Sequence, residues 1–398
     1  MNLFSPNNTG VAGNIWKMTI MYVTNKRTYM TFLSIFFLSI PNATAQIVGF
    51  ATALSFFLEF VFEVPSGYFA DRIGHKNALI IAKASLLIST LCYLLATSII
   101  YFFIASIFFA LGLSMLSGTS SSFVKETLDH LGKGEQYSRI SGKIRSIGFS
   151  IPVIFILLLP ILAEESYRLA FLVALVIDVI GLITACYLTP VPEPETIKDF
   201  QITKTKNIFH EYSQVGWLPI VIFSSLVFST LMAGTVDFKN PFQEHIGFSL
   251  SMLGVLWGIS RIGIAGLLLL NDWFKKHLTL KQLVLIEGFV YAGVLIGVGT
   301  LSNKWMIAVL FIIGTMAMWG LGATKSHFYL EYIEESRYKA SMLSINTFIE
   351  KIITTGLVLV MGYLVTVRSY EYGFLFFGIL AFLVTLIGMF LVREKKIR

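Results

Sequence analysis

The chain has 398 residues, of which 13% are charged and 56% hydrophobic, with a mean hydropathy of +0.76; a soluble domain holds roughly 25% charged residues. Its apolar residues fall in runs about 20 long, the length a helix needs to cross a bilayer core, so composition excludes an ordinary soluble enzyme and points to an all-α, multi-pass membrane protein. The net charge of +7 would suit nucleic acid, but the placement of the charges argues for membrane topology instead.

In chain order, the first 13 residues are polar, with no basic stretch and no small-residue cleavage site, so no cleaved signal peptide is expected. Twelve spans follow: 14–40, 46–70, 77–97, 101–124, 138–162, 167–188, 214–236, 248–270, 280–300, 304–324, 340–365 and 370–392. The first is unusual. Tyr29 to Ile40 is too short to cross, so a full span must begin near Ile15 and carry Asn25, Lys26 and Arg27 to mid-membrane depth. The alternative is an interfacial helix over 14–24 followed by a short or re-entrant segment. The longest polar break, 189–213, holds Pro190, Pro192 and Pro194 and then Lys198, Lys204 and Lys206. It divides the chain into an N-terminal bundle (1–189), a cytoplasmic linker (190–213) and a C-terminal bundle (214–398), six spans in each bundle.

Lys and Arg set the orientation. With the N-terminus inside, the inner loops and the tail hold about twenty basic residues, among them Lys125, Lys133, Arg139, Lys143, Arg145, Lys275, Lys276, Lys281, Lys325, Arg337 and Lys339. The outer loops hold only Arg168, Lys239, Lys304 and Arg368. This bias accounts for the basic composition and removes the nucleic-acid reading. Both termini are expected in the cytoplasm and the chain in the inner (cytoplasmic) membrane of the cell, as a monomer among lipid.

Enzyme chemistry has no support in the sequence: no catalytic residues, metal site or cofactor are expected. No Gly-rich loop precedes a Lys-Ser/Thr pair. Cys92 and Cys186 lie in apolar runs as packing residues. The six histidines fall at helix ends or in loops.

Charged groups inside a membrane cost about 2.5–3.5 kcal/mol each, so each one invites a functional hypothesis. Lys26 and Arg27 in span 1 and Glu59 in span 2 fall at similar depth. They read either as a substrate contact beside a proton carrier or as a static ion pair. Glu59 and Glu63 share a helix face, an arrangement that disfavours two simultaneous charges, although Glu63 equally reads as a buttress for the turn that follows. Asp178 and Glu287 read as structural pairs or lipid-edge groups. Arg261, Glu350 and Lys351 complete the substrate and proton candidates, with Arg261 and Glu350 a possible pair in the C-terminal half.

The turn after span 2, Gly67-Tyr-Phe-Ala-Asp71-Arg72-Ile-Gly74-His75-Lys76, with Glu63-x-Pro65-x-Gly67 before it, resembles the loop between helices 2 and 3 of the major facilitator superfamily. Phe69 and His75 depart from the family pattern. The Glu-x-Pro-x-Gly variant is similar to that of the drug-efflux-like members. The resemblance implies two six-helix bundles that alternate access to a midplane site, with helices 1, 4, 7 and 10 lining it. It also implies a conformational-switch role for Gly67, Asp71, Arg72, Gly74, His75 and Lys76, with Glu126 as the acid that the residue at position 75 pairs with. The glycines would permit close helix approach and a tight turn. A histidine pairs well only when protonated, so a pH-sensitive latch stands beside a plain structural substitution.

The function expected is proton-coupled secondary transport of a small molecule, as export of an amphipathic compound. The cations Lys26, Arg27 and Arg261 leave open an anionic carboxylate or carboxylate siderophore moving either way. A non-transporting membrane receptor or scaffold is the reading from another class. If Glu59 carries the coupling proton, Glu59→Gln abolishes proton-driven transport; retained proton-driven flux removes Glu59 from that role.

Overall fold

The computed structural model describes residues 3–191, 218–332 and 339–392. Among these residues every regular element is a helix: α1 (Asn14–Thr24), α2 (Leu33–Leu38), α3 (Ala45–Ile73), α4 (His75–Leu94), α5 (Ile100–Leu116), α6 (Thr119–His130), α7 (Tyr137–Ser150), α8 (Pro152–Glu165), α9 (Tyr167–Cys186), α10 (Leu218–Thr235), α11 (Lys239–His245), α12 (Leu250–Leu269), α13 (Asn271–His277), α14 (Leu280–Thr300), α15 (Lys304–Gly320), α16 (Gly322–Tyr332), α17 (Lys339–Val367) and α18 (Tyr370–Leu391). By length and composition, eleven segments among the described residues can cross a bilayer. They correspond to the second through twelfth expected spans. Four are built from consecutive helices, such as Ile100–His130 from α5 and α6.

The first expected span is not one helix. α1 ends at Thr24, Thr28–Thr31 form a 3-10 turn, and α2 begins only at Leu33. The cause lies in Arg27. Its guanidinium folds back to donate to the Thr24 carbonyl at 3.0 Å and, through Nε, to the Asn25 carbonyl at 3.4 Å. Carbonyls at a helix C-terminus have no partner within the helix, and Arg27 supplies one from the chain that has just left it.

The charged stretch after span 2 also differs from expectation. α3 runs through Pro65 to Ile73 and α4 starts at His75, so Gly74 alone makes the connection, with φ 84° and ψ 143°. Most of the expected loop is therefore helix. Gly74 supplies the tight turn, in a region that residues with a Cβ rarely enter. Gly67 does not mark a close helix approach, because a Cβ there would meet no atom of the described residues within 4 Å.

Contacts divide the chain into two units: Met1–Ala43, Leu54–Ile197 and Ser249–Gly254 form the first, and Thr44–Ala53, Lys198–Phe248 and Val255–Arg398 the second. The expected linker 190–213 lies outside the described residues from Pro192 onward, with Lys198, Lys204 and Lys206, as do Arg337 and the basic tail. In the first unit, the Asn14 amide donates to the Thr189 carbonyl and accepts from the Thr189 N–H, each at 2.9 Å. This clamp ties the start of α1 to the segment after α9. Ile15, Met18 and Met21 of α1 then pack with Leu79, Phe123, Leu128 and Ile144. Tyr29, Phe32, Phe36, Tyr93 and Phe171 form a ring cluster around the broken segment. In the second unit, α14 and α18 approach closely: a Cβ on Gly378 would lie 2.7 Å from the backbone N of Ile296. Small residues at such contacts let helices associate where no hydrophobic driving force separates protein from lipid.

Gly74→Ala is expected to destabilise the purified protein by about 1–3 kcal/mol, the cost of holding a residue with a Cβ in a sparsely populated backbone region. Gly67→Ala, inside a helix and with no described atom within 4 Å of a Cβ there, is expected to be neutral or slightly stabilising. Unfolding of the two variants side by side checks both.

Candidate functional site

In the first unit the polar centre is built on the break after α1. Arg27 and Asp178 of α9 form a bidentate pair, Nη2 to Oδ1 and Nη1 to Oδ2, both at 2.8 Å. The two side chains are 7% and 2% exposed. The Thr90 hydroxyl of α4 donates to Asp178 Oδ2 at 2.6 Å, and the Tyr29 hydroxyl lies 3.4 Å from Thr90. One turn after Asp178, Gly181 makes room for Lys83 of α4: a Cβ at Gly181 would sit 2.8 Å from the Lys83 Nζ. The wholly buried Lys83 donates to the Thr24 hydroxyl at 2.7 Å and to the Met21 carbonyl at 3.4 Å. Two cations and one carboxylate thus hold α1, α4 and α9 together through the irregular segment.

The second unit has two polar centres. In the first, Lys325 of α16 pairs with Glu287 of α14 at 2.8 Å, their side chains 8% and 0% exposed. Glu350 of α17 lies within electrostatic reach of Lys325, Lys351 and Glu287. Its own half-buried carboxylate makes no ion pair or hydrogen bond among the described residues. Ser229 of α10 donates to the Glu350 carbonyl at 3.3 Å and shares a hydrogen bond with Thr354 at 2.8 Å, fixing the backbone around Glu350.

The other centre lies where α10 turns into α11. Lys239 is buried, its Nζ 3.5 Å from the Thr315 hydroxyl of α15 and 4.5 Å from the ring centroid of Trp257 on α12. Trp257 donates its indole N–H to Asn240 Oδ1 at 3.2 Å, and the Arg261 guanidinium lies 5.9 Å from the same ring. Neither Lys239 nor Arg261 forms an ion pair among the described residues. Asp237 is half-buried and accepts a hydrogen bond from the Thr52 hydroxyl.

The structure places the candidate residues unevenly. Arg27 is held by Asp178, not by Glu59. The Lys26 Nζ rests 3.7 Å above the ring of Phe149, and Glu59 is buried on α3. Glu63 accepts from the Ser117 hydroxyl at 3.1 Å. Asp178 and Glu287 are both buried and paired, not at a lipid edge. Arg261 and Glu350 do not pair. At the α3–α4 turn, His75 Nδ1 lies 2.7 Å from Glu126 and His75 Nε2 lies 3.5 Å from Asp71, so the turn brings together the two residues that the family pattern would pair. Arg72 is exposed and Lys76 half-buried.

Three buried lysines escape the sequence reading. Lys83 interrupts the apolar run of α4, and that interruption was a usable signal. Lys239 and Lys325 looked like loop residues because each sits beyond the end of an apolar run. The helices continue past those ends as α11 and α16, and carry both lysines inward.

A family model for the Major Facilitator Superfamily matches residues 15–352. None of the curated proteins compared with the chain matches it. Among solved structures, the chain is similar to the nucleoside transporter NupG (D323A mutant), with a TM-score of 0.76, 14% identity and coverage of 94% of this chain and 98% of that one. A POT family transporter in complex with 5-aminolevulinic acid gives a TM-score of 0.73 at 13% identity, covering 95% of both chains. An inward-facing bacterial homolog of the human lysosomal transporter Spinster gives 0.70 at 14%, again covering 95% of both. At these identities the likeness is one of fold.

Asp178→Ala leaves Arg27 buried beside a second cation. A buried pair broken on one side costs about 3–5 kcal/mol. Unfolding of the purified variant is expected to show a loss of that size, and the double variant Arg27→Met/Asp178→Leu is expected to recover much of it.

Proposed function

The chain belongs to the Major Facilitator Superfamily, and from that premise we propose that it is a proton-coupled secondary active transporter, exporting a small amphipathic molecule across the cytoplasmic membrane by alternating access. Transport in general is supported by the family and by the solved carriers of the same fold. Proton coupling rests on Glu350. A half-buried carboxylate without a hydrogen bond or ion pair of its own is costly when charged and cheap when protonated. Its neighbour Lys325 is bound to Glu287, so a change of charge on Glu350 alters the competition for one ammonium. This gives protonation a means of acting on the contacts between α14, α16 and α17. Glu59 and Glu63 remain the coupling candidates on α3.

Outward movement is supported by the Glu63-x-Pro65-x-Gly67 pattern, and cytoplasmic termini by the excess of Lys and Arg in the inner loops. His75, between Asp71 and Glu126, would act as a latch on the α3–α4 turn, with Arg72 and Lys76 beside it. A monomer suffices for this mechanism, since one chain carries both units.

The test is flux in sealed proteoliposomes across a panel of amphipathic compounds. An imposed proton gradient is expected to drive uphill movement by the native chain. Glu350→Gln is expected to keep exchange at equal concentrations and to lose gradient-driven accumulation. Accumulation that survives collapse of the gradient overturns proton coupling, and a panel in which nothing crosses favours the receptor or scaffold reading.

A further inference from the structure

The Lys239 centre has a charge imbalance that no ion pair among the described residues relieves. α12 and α15, which supply Trp257, Arg261 and Thr315, contain no acidic residue. On α11 the acid is Glu244, which is exposed. Asp237, just before α11, is engaged with Thr52. Lys239 is 5% exposed, yet its ammonium has only a hydroxyl and the face of Trp257 for company. The attraction of a ring face for a cation falls well short of the cost of taking an ion out of water. Arg261 is close enough to act on Lys239 electrostatically, and two like charges raise the cost further.

A buried lysine and a half-buried arginine with no counter-charge among the described residues are arranged to receive one. We infer that Lys239 and Arg261, set around Trp257, form a binding site for the carboxylate of a small organic anion. Asn240 holds the indole through its N–H, which fixes the apolar wall of the site before the ligand arrives. Gln243 lies one helical turn after Lys239 on the same face of α11. Its side-chain oxygen is buried without a hydrogen-bond partner, an acceptor matched to a hydroxyl or N–H on the ligand. The ligand class is therefore a hydroxy- or amino-substituted carboxylate whose apolar part rests on Trp257, in keeping with an amphipathic cargo. The inference depends on the transporter reading only in treating the bound anion as cargo; binding itself does not.

The experiment is thermal unfolding of the purified chain in detergent with hydroxybenzoate, with its methyl ester, with inorganic phosphate, and with phosphatidylglycerol. A ligand that binds the folded state raises the midpoint by mass action, equivalent to about 2.7 kcal/mol at one hundred times its dissociation constant. The free acid is expected to raise the midpoint and the ester to leave it unchanged. Lys239→Met and Arg261→Gln are each expected to abolish the shift, and Lys239→Arg to keep part of it. Lys239→Met is also expected to melt higher than the native chain without ligand, because it removes an unpaired buried charge. An ester as effective as the acid overturns the site, as does an acid shift that survives both Lys239→Met and Arg261→Gln. A response to phosphatidylglycerol alone assigns the cations to lipid and also overturns it. None of these outcomes depends on a proton gradient, so failure of coupled flux and failure of the anion site are read separately.

Discussion

A charge carried into a bilayer must find its counter-charge inside the protein, and in the first unit that requirement is met by Arg27 and Asp178. Both oxygens of the carboxylate are taken, Thr90 adds a third bond, and the guanidinium also satisfies the carbonyls where α1 stops. Irregular backbone at membrane depth is tolerated only where protein or water satisfies it. Here one arginine side chain performs that service and neutralises an acid in the same place. The break after α1, the burial of Lys83 against Gly181 and the ring cluster around Tyr29 all lie beside this pair.

The two units treat buried charge differently. In the first, Arg27 and Asp178 are matched, and Lys83 is engaged by a hydroxyl and a carbonyl. In the second, Glu287 and Lys325 are matched while Glu350, Lys239 and Arg261 have no ion pair among the described residues. Unmatched charge in a low dielectric is a reservoir of free energy that a proton or a ligand releases on binding. Under the function proposed above, Glu350, Lys239 and Arg261 are groups of the second unit whose energy would change with what is bound.

Much of the architecture was legible because a bilayer imposes a fixed length on apolar runs. Eleven spans and the family motif could be read directly, and so could the His75–Glu126 contact, because the turn motif carries its partner with it. The break at Asn25–Arg27 was foreshadowed by charge inside a run but not decided by it: the deciding partner, Asp178, lies 151 residues away. A Cβ at Gly67 would meet no described atom within 4 Å, which the motif could not show, because a motif gives residue identity without neighbours. Lys239 and Lys325 were misplaced because hydropathy marks where lipid contact ends, not where a helix ends. α11 and α16 carry polar residues into protein, where composition no longer resembles that of a membrane span.

The broken first segment also bears on how the chain is made. Its uninterrupted apolar part is only α2 with the residues beside it, a weak signal for insertion, and the charged break adds to the cost. Arg27 leaves the ribosome long before Asp178, the acid it is paired with in the folded chain. The bidentate pair that closes the break therefore has to wait until α9 arrives. The Arg27–Asp178 pair can close only after α9 has been made, so a chain halted before α9 would lack the acid that Arg27 pairs with in the folded protein.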